Sequence, residues 1–192
     1  DVRRDDVRGI VCDSHYFSLV PVDASGHATM PCLLWMDQRG APWVQAIYER
    51  GPEAFLRWLE IHGLPSLPTG NDSLAHLLYV REACPEVYER THAFVEPMDY
   101  VNARLTGRVC ANARTVFPLV LTDNRDLSDV RYDDELVRLT GVDREKLPPL
   151  VPPGERVGKL LPEVAEALGL SPSTEVFSGL NDTQAVAVGA GT

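Results

Sequence analysis

An excess of positive charge is missing from this sequence: over 192 residues the formal net charge is −10. Nucleic acid and anionic membrane surfaces attract broad basic faces, so neither is an expected partner, and a small molecule is. Missing too is any apolar run near the ~18 to 20 residues that a bilayer-spanning helix needs. The opening Asp1-Val2-Arg3-Arg4-Asp5-Asp6 has no secretory pattern, and a soluble cytoplasmic protein is the expectation. Cysteine is sparse. Cys12, Cys32, Cys84 and Cys110 stand far apart, with neither zinc-ligand spacing nor a paired framework, which predicts buried, reduced thiols. The five histidines are equally scattered, so no metal site is expected, and there is no internal repeat or low-complexity tract.

What is present is a globular composition, 44% hydrophobic, sufficient for one sizeable core or for most of one domain of a larger enzyme. Three short apolar runs open the chain, residues 9–12, 16–22 and 30–35, with Asp23-Ala24-Ser25-Gly26 as turn chemistry before the third. They predict a three-strand meander. From Ala41 the apolar residues recur at helical spacing, as in Phe55, Trp58, Leu59 and His62. Proline just inside a start and glycine just past an end mark the helices: Pro52 with Gly63, Pro97 with Gly107, and Pro162 with Gly169. Residues 64–71 read as a loop, and the proline-rich stretch 147–154 reads as a rigid internal linker. A buried strand over 175–179 then leads to a small-residue helix over 183–190. Strands followed by helices, closing on a strand-turn-helix unit, point to an α/β fold. The chain starts without methionine and stops directly after an apolar helical segment, so both ends are read as cut.

Asp182 stands where that strand gives way to the helix, at the strand's C-terminal edge, where α/β folds bind ligands. An aspartate there is also a favoured helix N-cap, and the two roles are compatible. Gly179, Gly189 and Gly191, with Ala185, Ala187 and Ala190 between, would let the helix approach another backbone or a phosphate closely. The acidic cluster Asp123, Asp126, Asp129, Asp133 and Asp134 lacks the spacing of a calcium loop and reads as solvated surface, with Asp133 and Asp134 opening a helix. Trp43 and Trp58 lie on helical stripes and are expected in the core, whereas Trp35 is left as a ring free to stack on a ligand.

Gly179-Leu180-Asn181-Asp182-Thr183-Gln184-Ala185, running on to Gly189-Ala190-Gly191, resembles the domain-junction segment of the FGGY carbohydrate kinases, the family of xylulose and glycerol kinases. Leu34-Trp35-Met36-Asp37-Gln38-Arg39 resembles the family's Trp-x-Asp-x-Arg element. Pro97-Met98-Asp99-Tyr100 with Leu105-Thr106-Gly107 resembles its Pro-Lys-Asp-Tyr helix, and Gly158-Lys159-Leu160, Pro162 and Leu168-Gly169-Leu170 resemble the approach to the last strand. The likeness runs through essentially the whole chain.

This resemblance implies a ribonuclease H-like, actin-type ATPase fold lacking its first strands. Residues 1–192 would be a partial N-terminal domain, with 147–154 an internal linker and 175–192 the strand-turn-helix at the junction to a nucleotide domain outside this chain. It implies ATP-dependent phosphorylation of a sugar or polyol hydroxyl, with Asp182 as catalytic base. The substrate residues would be Asp13, Ser14, His15, Trp35, Asp37, Arg39 and His76, and Gly179, Thr183 and Gln184 would face the nucleotide. ATP and Mg2+ are the implied cofactors, with most of their site beyond this chain and no metal ligand assigned within it, and the resemblance is compatible with a homodimer of the intact enzyme. A fragment of this kind is expected to be inactive alone; the rival reading is a non-catalytic sugar-binding or interaction module derived from such a kinase. The substrate positions depart from the better-known members. Asp13-Ser14-His15 keeps only the histidine of the xylulose kinase pattern, His76 replaces a frequent lysine, and Asn112-Ala113-Arg114-Thr115 replaces an aspartate- and serine-rich stretch. Asp13 and His15 still suit a hydroxyl-rich ligand, because a carboxylate accepts from hydroxyls and imidazole both donates and accepts.

Overall fold

A computed structural model describes residues 3–191. In chain order the strands are β1 Gly9–Val11, β2 Val20–Val22, β3 Ala93–Val95, β4 Ala111–Asn112, β5 Thr122–Asp123, β6 Arg131–Tyr132, β7 Leu150–Val151, β8 Arg156–Lys159 and β9 Glu175–Phe177. The helices are α1 Ala41–Glu49, α2 Glu53–Arg57, α3 Ser73–Ala83, α4 Pro85–Arg90, α5 Pro97–Thr106, α6 Asp134–Thr140, α7 Pro162–Leu168 and α8 Asp182–Ala190.

The expected meander does not form. β1 pairs in parallel with β9, matching Ile10 to Val176, and β8 lies antiparallel on the other side of β9. β2 pairs antiparallel with β3, setting Pro21 against Phe94. The third apolar run contributes only the isolated pairing of Leu19 with Leu33. Apolar alternation reports which residues seek burial but not which strand will cover them, and a parallel partner must return through a long crossover. Here that crossover is most of the chain. The stretch 147–154 carries β7, in parallel register with β4, and both Leu147 and Val151 are buried.

Helix boundaries follow the proline and glycine punctuation. Pro97 and Pro162 occupy first turns, and Gly107 and Gly169 take left-handed φ values of 74° and 65° at the far ends. Pro52 stands one residue earlier, as the cap of α2. That helix widens into a π turn over Trp58–His62 before Gly63 ends it at φ 93°. Asp133 caps α6 by accepting from the Leu136 N–H at 2.8 Å and also pairs with Arg57 at 2.7 Å. The remaining acids of that cluster are surface groups: Asp123 pairs with Arg125, Asp129 with Arg131, and Asp126 accepts from Ser128.

The main core lies in the helical body, where α1, α3 and the π turn gather around Trp58, Leu77, Phe94 and Leu119. Trp58 is fully buried and donates its indole N–H to the Val120 carbonyl at 2.8 Å. A smaller core of Leu160, Ala165 and Val176 sits under the sheet of β1, β9 and β8. All four cysteines are free, but only Cys110 is buried; Cys12 and Cys84 are half-buried and Cys32 is exposed, which corrects the expectation of burial. Among the described residues no helix is long and apolar enough to cross a membrane.

Candidate functional site

Because β1 and β9 are parallel neighbours, the chain leaves both at the same edge of the sheet. Residues 12–17 follow β1 and residues 178–181 follow β9, and the two segments run side by side. Ser14 pairs with Asn181, and the Asp182 N–H donates to the Ser14 carbonyl at 2.8 Å. Asp13 reaches across as well, its Oδ1 3.4 Å from the Leu180 nitrogen. Gly179 is where they cross: a Cβ there would lie 2.0 Å from the Cys12 carbonyl oxygen. The close backbone approach that demands glycine is therefore to Cys12, within the protein.

Helix α8 begins one residue earlier than its apolar pattern suggests, and its cap is Asn181, not Asp182. The buried Asn181 side chain accepts from the Gln184 N–H at 2.9 Å. The signal was present, since Asn181 with Gln184 three residues on has the spacing of a capping box. Asp182 sits in the first turn, exposed, with Oδ1 accepting from the Thr183 N–H at 2.8 Å. Its Oδ2 has no hydrogen-bond donor among the described residues.

Asp182 and Thr183 form one wall of a cavity of about 370 Å³. His15, Tyr16 and Phe17 form another, and Trp35, Leu67 and Asn71 close it. Phe17 holds a left-handed φ of 58°, rare for a bulky residue and found where a fold over-determines a site. Its ring meets Tyr16 edge-on at 4.7 Å. Trp35 is half-exposed, with its backbone pinned on both sides: its N–H donates to Ser18 Oγ at 3.1 Å, and its carbonyl accepts from Asn71 Nδ2 at 3.2 Å. The cavity thus offers aromatic faces, an imidazole, an amide, two hydroxyls and one carboxylate, and no lysine or arginine lines it.

Of the residues expected at the acceptor, His15, Trp35 and Asp182 line this cavity; Thr183, expected to face the nucleotide, lines it too, and Tyr16, Phe17, Leu67 and Asn71 were not anticipated. Asn71 lay in a segment recognised as a loop, but nothing local says that the loop folds back over Trp35. Ser14 lies just outside, its Oγ donating to the His15 carbonyl at 2.8 Å. Asp37, Arg39 and His76 do not line the cavity. Arg39 pairs with Asp37, donates to the Tyr79 hydroxyl at 2.7 Å and stacks on the Tyr79 ring at 4.4 Å. That pairing holds the Asp37 carboxyl below its ordinary range. His76 is buried against the Asp37 carbonyl, 3.0 Å from Nε2, and burial pushes its pKa down and favours the neutral ring. The three make a knot behind Trp35. Gln184 faces a neighbouring cavity of about 230 Å³ that shares Tyr16 and Thr183 with the first and contains Arg114 and Asn124.

Two buried acids on the α5 segment stand behind the cavity. Glu96 accepts from the Ser18 N–H at 3.3 Å and from Ser73 Oγ at 2.5 Å, buttressing the Ser18 to Trp35 wall. Asp99 accepts from the Asn112 N–H at 3.2 Å. Burial raises the pKa of both, that of Asp99 to about 7. As for a nucleotide and Mg2+, Asp182 is the one carboxylate on the cavity wall, and no group of three or more His, Cys, Asp or Glu among the described residues could hold a metal. The residues present fit the hydroxyl-bearing partner of a reaction, and they do not by themselves fit a metal-bound triphosphate.

Comparison with known proteins bears on the family and the fold. Residues 1–189 match the model of the FGGY family of carbohydrate kinases, N-terminal domain. The chain is 28% identical over 191 residues to the xylulose kinase of Bacillus subtilis, covering 100% of this chain and 37% of that protein. It is 28% identical to the L-fuculokinase of Escherichia coli, covering 96% of this chain and 38% of that one. The solved xylulose kinase from Rhodospirillum rubrum superposes with a TM-score of 0.82 at 22% identity, over 95% of this chain and 37% of that structure. The chain thus spans little more than a third of the length of the relatives it matches.

Proposed function

The chain belongs to the FGGY family of carbohydrate kinases, with the ribonuclease H-like, actin-type fold, and we propose that it forms the acceptor site of a kinase that phosphorylates a hydroxyl of a small sugar or polyol. The observation that carries this reading is the cavity lined by Asp182, His15 and three aromatic rings, with neither lysine nor arginine on its wall. A neutral polyhydroxy ligand matches such a lining, with ring faces for its C–H surfaces and polar groups for its hydroxyls. An anionic ligand would find no lysine or arginine there.

In this reading Tyr16, Phe17 and Trp35 orient the acceptor, and His15 and Asn71 fix its hydroxyls. Asp182 Oδ2, free of internal donors, accepts the proton of the reacting hydroxyl. Phosphoryl transfer passes through a loose transition state in which the attacking oxygen becomes acidic late, so a positioned ordinary carboxylate suffices as base. ATP is the proposed donor. Its site is not assembled by the described residues. For the same reason the 192-residue chain alone is expected to turn over no sugar. A coupled ADP-release assay on the full gene product, with pentoses, hexoses and polyols as acceptors, tests the reading. His15→Ala should raise the KM for the sugar severalfold while leaving that for ATP near its wild-type value. Equal effects on both substrates would remove His15 from the acceptor site.

A further inference from the structure

The turn between β9 and α8 ends exposed, so whatever fixes the Asp182 carboxylate in space must act on residues 178–181 from beneath. Backbone bonds hold its flanks: the Ser178 N–H donates to the Glu155 carbonyl at 2.8 Å, and the Asp182 N–H to Ser14. Its middle is held by two side chains: Asp13 Oδ1 accepts from the Leu180 N–H at a long 3.4 Å, and the shorter bonds come from below. Asn112, in β4 and fully buried, donates from Nδ2 to Ser178 Oγ at 2.7 Å and to the Gly179 carbonyl at 2.7 Å. Among the described residues no other side chain donates to the 178–181 backbone.

Asn112 is itself locked. Its Oδ1 accepts from the Arg114 N–H at 2.8 Å, its N–H donates to Asp99, and its carbonyl accepts from Thr115 and Val116. Its neighbours Ala111 and Ala113 are bonded to the Pro149 and Val151 carbonyls of the β7 segment. Every polar atom of this buried residue is satisfied, which fixes a single rotamer. An apolar side chain of similar volume would pack as well but could not aim two donors at the turn. We propose that Asn112 is the positioning residue of the site: it ties the Asp182-bearing turn to β4, β7 and α5, so that the carboxylate is preorganised toward the cavity. A misplacement of about 1 Å at a reacting group can cost on the order of a hundredfold in rate, which makes such a tie consequential. The inference rests on reading Asp182 as the acceptor-facing carboxylate.

Amide hydrogen exchange by NMR on the full gene product, with and without D-xylulose as probe, tests it. Asn112→Asp keeps the acceptor for Arg114 but removes both donors. The Asp182 amide should then lose at least about tenfold more protection than the amides of α3, and the D-xylulose-induced shift at Asp182 should vanish while that at His15 persists. A uniform loss across the chain, with the Asp182 shift retained, would make Asn112 merely structural and overturn the proposal. Asn112→Asp places a second carboxyl beside Asp99 and can prevent folding; in that case the wild-type chain decides. The Asn112 side-chain amide protons should exchange in step with the Asp182 amide, and free exchange of the former while the latter stays protected would equally overturn the tie. If D-xylulose and L-fuculose leave wild-type Asp182 unshifted, the sugar reading fails on its own, and the exchange data still judge the tie.

Discussion

Helices α3 and α8 are of similar length and have opposite surroundings. Seven of the eleven residues of α3 are buried, and they supply Leu74, Leu77 and Leu78 to the main core. No residue of α8 is buried, and its Val186 and Val188 are 70% and 67% exposed. The first helix is held along its face by apolar packing, and the second is tied at its N-terminus by the Asn181 cap and the bond from Asp182 to Ser14. Stability and chemistry are thereby lodged in different parts of the molecule. Changes in the helical body should cost folding free energy, and changes at the start of α8 should cost geometry or proton transfer with little cost to folding.

The largest effect expected from breaking this division lies in the body. Trp58→Ala removes a fully buried ring and leaves the Val120 carbonyl without its donor, which should cost about 3–5 kcal/mol in denaturant unfolding. A loss below about 1 kcal/mol would mean that the core does not carry the fold. A smaller, pH-dependent effect is expected on the bridge between the two regions. Asp99 is buried, one of its oxygens has no partner, and its pKa rises to about 7. The folded state therefore holds this proton more tightly than the unfolded chain, whose aspartate titrates near 3.9. The stabilisation is complete below about pH 4 and is lost as pH rises through about 7. His62 and His76, kept neutral by burial, act in the opposite sense and remove stability as pH falls through the imidazole range near 6.5. Melting temperatures of the wild type and Asp99→Asn between pH 5 and 8 isolate the carboxyl. The variant should gain on the wild type as pH rises toward 8, and parallel curves would show that Asp99 does not titrate in this window.

Local signals were legible wherever a residue's own backbone decided the outcome. The proline and glycine boundaries, the Asp133 cap, the buried Trp58 and the position of Asp182 at a strand edge all follow from chemistry within a few residues. The partner of β1 did not, since Gly9–Val11 meets Glu175–Phe177 across most of the chain and no local pattern encodes that distance. The cavity's far wall was hidden for the same reason: Leu67 and Asn71 reach Trp35 only through the packing of α1 and α3. Asp37 and Arg39 were expected among the substrate residues and instead pair with each other outside the cavity, because nothing local in the sequence signals that Tyr79 receives the guanidinium.

The smallest expected cost to folding belongs to Asp182 itself, and it coincides with the largest expected cost to function. The cap is Asn181, so Asp182→Asn removes a proton acceptor from an exposed first-turn position without touching the cap. The decisive measurement is kcat of the full gene product carrying Asp182→Asn, by ADP release, beside its melting temperature. A base lost from the acceptor site should lower kcat by at least about a hundredfold with the melting temperature and sugar affinity nearly unchanged. A variant that melts normally and turns over near the wild-type rate would contradict the assignment of Asp182 as the base.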